Sequence, residues 1–101
     1  SLSTSSKFSG GTLAVALDAG DAGKAMVDFV ITQDSPTIVI ALVPSTALFI
    51  DATVDKMASF DTTSGTMIIP ELEIEGSIAY RNLVFQLADP ATYSFTLESF
   101  E

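Results

Sequence analysis

A short segment near the start of this chain recurs in its second half. Residues 11–15 read GTLAV and residues 65–69 read GTMII, about 54 positions later. Each copy precedes an apolar run, then an Asp/Pro turn, then a second strand-like run. These later segments are 27–31, 34–36 and 37–43 in the first half, and 83–87, 89–91 and 92–99 in the second. A repeat that fills a chain is typical of a scaffold, so we expect two divergent pseudo-repeats, about residues 8–50 and 60–101.

The repeated segments alternate with a period of two. Leu13, Val15 and Leu17 lie on one side of a predicted strand, and Thr12 and Ala14 lie on the other. Seven to eight such segments are separated by turn residues about every ten positions, a spacing typical of all-β domains. The pattern predicts an antiparallel β-sandwich, or a barrel-like sandwich, whose two halves pack face to face. Parallel crossovers would need helices, for which the chain has no room.

The predicted domain covers residues 12–101, after a mobile Ser/Gly-rich lead over residues 1–11. We expect Pro44 to end the strand over residues 37–43. Alternation favours a strand over residues 47–54, with a short helix at 55–60 as the alternative. Pro70 cannot donate to a strand ladder, so its segment is predicted to be an edge strand or to contain a bulge.

Charge and missing residue types narrow the function classes. The net charge is −9, from 4 basic and 13 acidic residues, which disfavours nucleic acid and anionic membrane surfaces as partners. No apolar run is long enough for a spanning helix, so membrane insertion is not expected. The sequence has no His and no Cys, which removes the commonest general base and the thiol nucleophile. We therefore predict that the protein is not an enzyme.

The acidic residues offer weak candidates for sites. Asp18 and Asp21 flank a Gly-rich turn and are the candidate calcium ligands, although six to eight oxygens would be needed. No other cofactor is predicted. Glu71, Glu73 and Glu75 alternate along one segment, and we interpret them as a solvated strand face that discourages edge pairing. Hydrolysis would need two carboxylates facing each other across a bond.

The apolar content points to association. Hydrophobic residues make up 48% of the chain and charged residues only 17%, an excess that burial between subunits would explain. The predicted assembly surface lies on the last strand and consists of Tyr93, Phe95, Leu97 and Phe100. For glycan binding, the amphipathic aromatic residues are Tyr80 and Tyr93.

The second half of the chain resembles a recurrent β-repeat of secreted bacterial proteins. The segments that carry the resemblance are residues 59–61 (SFD), 65–70 (GTMIIP), 80–87 (YRNLVFQL) and 95–97 (FTL). The first half departs from this pattern, since Ala16 stands where Pro70 would align. Ala25 and Met26 likewise replace the Ala79-Tyr80 pair. The resemblance implies export and a β fold, and it implies no catalytic activity.

These observations favour a non-catalytic extracellular structural or assembly domain. Such a domain could be a subunit of a β-rich surface filament or appendage, or a module of a larger secreted protein. Its expected partners are copies of itself or other extracellular proteins. The alternative is a β-sandwich module that binds carbohydrate or calcium.

Overall fold

The computed structural model describes residues 6–51 and 55–101, apart from the side chain of Thr46. Alternating side chains place these residues in an all-β fold, and a 3-10 turn at Gly20–Ala22 links the second and third strands. The strands are β1 Ser6–Ser9, β2 Thr12–Asp18, β3 Lys24–Gln33, β4 Val39–Ile50, β5 Ala58–Asp61, β6 Thr66–Ile74, β7 Ser77–Asp89 and β8 Ser94–Ser99.

The eight strands form one closed barrel. Their order is β1-β2-β3-β4-β8-β7-β6-β5, and β1–β6 and β2–β5 pair in addition. These two closing pairs are parallel, whereas all the others are antiparallel. The short strands β1 and β5 share one position between β2 and β6. The all-β prediction is confirmed. A sandwich of two separate sheets is not found in the described part of the chain, because hydrogen bonds join the two halves at both edges.

The two halves of the chain have the same pattern of strand pairing. β1 to β4 form one four-strand meander and β5 to β8 form another, and the meanders meet at the β4–β8 pair. The first strand of each meander also pairs with the second strand of the other. The sequence repeat itself stays a prediction, because the paired strands share an arrangement and few residues.

Two local predictions were wrong, and one alternative is not found. Ser6–Ser9, assigned to a mobile lead, forms β1, and Ser6 is 1% exposed. β4 continues past Pro44 to Ile50, because the strand bulges between its pairings with Asp28 and Met26 instead of ending. Ala58–Asp61 forms β5 where a helix was the alternative. Residues 52–54 of the ambiguous region lie outside the described residues.

Side-chain alternation builds the core as the sequence predicts. Leu13 and Val15 point inward from β2, and Met67 and Ile69 do so from β6, each at most 3% exposed. Phe95 of β8 lies in the middle of this core. Its ring meets that of Phe29 edge to face at 5.7 Å and that of Phe60 at 5.5 Å.

Pro70 lies at a gap in the ladder. On one side β6 pairs with β5 as far as Ile68 and with β1 from Leu72 onward, which leaves Pro70 between the two partners. Proline has no backbone N–H, so it suits a position where no neighbouring strand accepts a hydrogen bond from it. The pairing of β6 with β7 shifts between Leu72 and Glu73, which lie opposite Tyr80 and Ile78, so the extra residue of this irregularity is Ala79 of β7. This pairing therefore does not show the bulge predicted in the Pro70 segment. β6 is not an edge strand.

Gly65 and Gly11 begin the two repeated segments, and they give a matched test of the fold. Both have positive φ, at 76° and 82°, which L-residues adopt at a cost of about 1–2 kcal/mol. A Cβ at Gly65 would lie 3.0 Å from Leu87 Cβ, whereas a Cβ at Gly11 meets nothing within 4 Å. We therefore expect Gly65→Ala to lower the free energy of unfolding by about 1 kcal/mol more than Gly11→Ala. Urea denaturation measures both, and equal losses would contradict the contact with Leu87.

Candidate functional site

One end of the barrel contains an apolar cavity of about 230 Å³. Alternate residues of seven strands and Phe100, just after β8, point into it, and no charged side chain lines it. Its lining consists of Phe8, Leu13, Ile31, Ile38, Ile40, Leu72, Ile74, Tyr80, Leu83, Phe85, Leu97 and Phe100. Closed barrels commonly hold small ligands in such end cavities.

The mouth of the cavity is formed by partly exposed apolar residues. Ile31 and Tyr80 are each 38% exposed and Phe100 is 54% exposed. Tyr80 and Phe100 meet edge to face at 5.0 Å. Two backbone hydrogen bonds between Arg81 and Glu101, of 2.9 and 2.7 Å, hold the chain after β8 beside β7. The mouth is thus fixed in shape by strand pairing and by one aromatic pair.

A second apolar feature is the end of β4, residues 47–50, which we name the 47–50 segment. Leu48 is 68% exposed and Phe49 is 85% exposed. The segment pairs with the start of β3, and no second strand pairs with it in the part of the chain that the structure describes. Consecutive strand residues point to opposite faces, so both faces of this unpaired edge carry a large apolar side chain.

The cavity and the 47–50 segment lie at opposite ends of the barrel. Phe49 pairs with Ala25 at the start of β3, whereas Ile31 near the end of β3 lines the cavity. Six residues of strand separate Ala25 from Ile31, which corresponds to about 20 Å. The two apolar features therefore cannot meet within one copy of the chain.

The calcium candidates serve turns. Asp18 Oδ1 accepts a hydrogen bond from the Gly20 backbone N–H at 2.9 Å, and Asp21 is exposed within the 3-10 turn. Asp18 shares a shallow groove with Asp61, whose Oδ1 accepts the Thr63 N–H at 2.8 Å. Among residues 6–51 and 55–101, no three acidic side chains gather in a group that could hold a metal ion.

Glu71 differs most from its predicted environment. It is 7% exposed instead of solvated. Its Oε1 lies 3.1 Å from Lys56 Nζ and its Oε2 lies 3.5 Å from Arg81 Nε. Glu73 is half-buried and Glu75 lies in the exposed turn between β6 and β7. Glu71 and Leu72 are consecutive buried residues, so the strict alternation that would have placed the three carboxylates on one face is broken. Glu71 has a structural role beside the Pro70 gap.

The predicted assembly residues separate into three environments. Phe95 is 2% exposed and belongs to the core, so it does not lie on a surface of the single chain. Leu97 and Phe100 line the cavity. Tyr93 is 46% exposed and precedes β8 with φ of 49°. β8 itself pairs with β4 and β7, so it offers no free edge for donation.

The sequence patterns did not predict the cavity or the exposure of Leu48 and Phe49. Their alternation predicts a strand. It does not predict which edge of that strand lacks a hydrogen-bonded neighbour. A usable signal was present in Leu48, Phe49 and Ile50. Three consecutive large apolar residues before Asp51 leave at least one that cannot face a single core.

Comparisons with known proteins add no family to this description. No family model, curated protein or solved structure matches the chain. Within the described residues, no helix is long and apolar enough to cross a membrane.

Proposed function

We propose that this protein is a non-catalytic assembly domain that associates with copies of itself through the 47–50 segment. The observation that carries the proposal is the exposure of Phe49, at 85%, beside Leu48, at 68%, on a strand edge. Unprotected strand edges recruit further strands or apolar partners. A filament, an appendage or a larger secreted protein would each use such an edge.

The absence of edge protection supports this proposal. Edge strands of monomeric proteins are usually blunted by charges, by proline or by an inward bulge. Here Asp51 follows the segment, and Pro44 and the bulge of β4 come before Leu48, so residues 48–50 themselves carry none of these devices. Burying a side chain such as Phe49 stabilises a contact by about 1.5–3 kcal/mol, which favours association.

The extracellular setting and the lack of catalysis are parts of the same proposal. The export of the protein is supported by the resemblance of its second half to β-repeats of secreted bacterial proteins. The non-catalytic role is supported by a sequence without His or Cys. Glycan or calcium binding has weaker support, because the cavity is apolar and Asp18 and Asp61 accept hydrogen bonds from their own turns.

Light scattering after size exclusion tests the association. We expect the mass of the wild-type protein to rise with concentration above the 10.6 kDa monomer. Because each copy carries a net charge of −9, salt should strengthen the association by screening repulsion. The double substitution Leu48→Ser/Phe49→Ser should raise the dissociation constant at least about thirtyfold, as the loss of an interface hot spot does.

A matched control separates this edge from exposed apolar residues in general. Val30 and Ile68 are 37% and 39% exposed on strands that have partners on both sides. The variant Val30→Ser/Ile68→Ser should associate like the wild type. A wild-type protein that remains monomeric at millimolar concentration, in both low and high salt, would refute the proposal.

A further inference from the structure

We infer that the apolar cavity receives Phe49 of a second copy, so that copies join head to tail. This inference rests on the proposed self-association and names its geometry. It connects two features that no catalytic or structural role of the single chain explains, an open apolar cavity and an exposed aromatic side chain.

The size and chemistry of the cavity suit a phenylalanine ring. Apolar cavities of about 150 Å³ stay dry and bind benzene. The cavity here measures about 230 Å³ and is lined by twelve residues, of which Tyr80 alone carries a polar side-chain atom. A benzyl group therefore fits with room for the neighbouring strand to approach the mouth. A charged or sugar ligand would find no side-chain partner deeper than the Tyr80 hydroxyl.

The position of Phe49 suits insertion into another copy. Its side chain is 85% exposed, so most of the ring already lies away from its own barrel. The segment that holds it is fixed by pairing with β3, through Ala25 opposite Phe49 and Lys24 opposite Ile50. A fixed side chain loses less conformational entropy on binding than one on a flexible loop.

The opposite placement of the two features sets the symmetry of the assembly. A projection at one end and a cavity at the other make a heterologous contact, in which each copy uses two different surfaces. Such a contact does not satisfy itself in a dimer, and it continues into a chain or closes into a ring. An edge-to-edge pairing of two 47–50 segments would instead give a closed dimer and leave the cavity empty.

Two single variants separate these arrangements. Phe49→Ser removes the projecting ring and keeps the cavity. Ile31→Trp fills the mouth of the cavity and keeps the ring. The matched control is Val30→Trp, since Val30 is adjacent on β3 and equally exposed but does not line the cavity. Circular dichroism and urea denaturation verify that each variant is folded.

Light scattering on the variants, alone and mixed, gives the decisive result. We expect Phe49→Ser and Ile31→Trp each to be monomeric, and Val30→Trp to assemble like the wild type. An equimolar mixture of the two monomeric variants should form a heterodimer of twice the 10.6 kDa monomer mass. The mixture retains one intact ring and one intact cavity, which make one contact and cannot continue.

Other outcomes distinguish a wrong cavity inference from a wrong proposal of self-association. If Ile31→Trp assembles like the wild type while Phe49→Ser does not, the cavity inference is wrong and self-association through the segment stands. Two monomeric variants that do not combine also overturn the inference. A monomeric wild type removes the proposed function and the inference together.

Competition with toluene tests the cavity without any substitution. Toluene is the side chain of phenylalanine as a free molecule, so at saturation it should occupy the cavity and dissociate the wild-type assembly. The expected readout is a return of the scattering mass to that of the monomer. An unchanged mass overturns the inference. If Ile31→Trp does not fold, the toluene competition alone tests whether the cavity receives Phe49.

Discussion

Replacement of Phe95 by alanine is expected to lower the free energy of unfolding by about 3–5 kcal/mol. The side chain is 2% exposed, and its ring packs edge to face against Phe29 and Phe60. Truncation removes both aromatic contacts and leaves a cavity where the two meanders meet. Small domains are stable by about 5–15 kcal/mol in total, so this variant should be close to unfolding. Urea denaturation followed by circular dichroism measures the loss.

Phe100→Ala is the matched control for Phe95→Ala. Both residues belong to the assembly surface predicted from sequence, but Phe100 is 54% exposed and packs mainly on Tyr80. Phe100→Ala should lower the free energy of unfolding by about 1 kcal/mol, which is the contribution of one aromatic pair. If the two variants lose similar stability, Phe95 does not have the core role that the structure gives it.

Removal of both cations around Glu71 should produce the second large effect. In the double variant Lys56→Gln/Arg81→Gln, the Glu71 side chain, which is 9% exposed in the wild type, would lose both compensating positive charges. Loss of the partner of a buried charge typically costs about 3–5 kcal/mol. We expect a loss of about 3 kcal/mol, because the two cations are about half exposed and water can partly replace them. Thermal and urea denaturation provide the measurement.

The opposite change should be milder. Glu71→Gln removes the buried charge and leaves Lys56 and Arg81 at 49% and 60% side-chain exposure, where water solvates them. We expect a loss of about 1 kcal/mol, the value of an ordinary hydrogen bond. Glu98→Gln, an exposed carboxylate in β8, should change stability by less than about 0.5 kcal/mol. A larger loss for Glu71→Gln than for the double variant would contradict this asymmetry.

Local patterns predicted the strands well, because side-chain alternation is a local property. Leu13 and Val15 point inward as their spacing indicates, and so do Met67 and Ile69 of the second repeated segment. Closure of the sheet could not be predicted in the same way. It depends on hydrogen bonds between Ser6 and Lys7 of β1 and residues of β6 more than sixty positions away, and no local pattern encodes that pairing.

The candidate site was harder to predict than the fold. The exposure of Phe49 depends on the absence of a strand paired beside it in the described residues, and the buried Glu71 is paired with Lys56, which lies fifteen positions earlier. Both are consequences of tertiary pairing. The predicted assembly set contained Leu97 and Phe100, which line the cavity, but no pattern in the sequence indicated a cavity. Phe95 shares their spacing and lies deeper in the core.

The seam where β1 and β5 share one position has a consequence for how the chain folds. Each meander forms from neighbours in sequence, so its loops close early and at small entropic cost. The seam joins residues from the two halves of the chain through strands of only four residues, Ser6–Ser9 and Ala58–Asp61. We therefore expect closure of the seam to be a late step of folding, and the seam to be the first part of the barrel to open. While the seam is open, each half exposes its inner face to any other half, including one from another molecule.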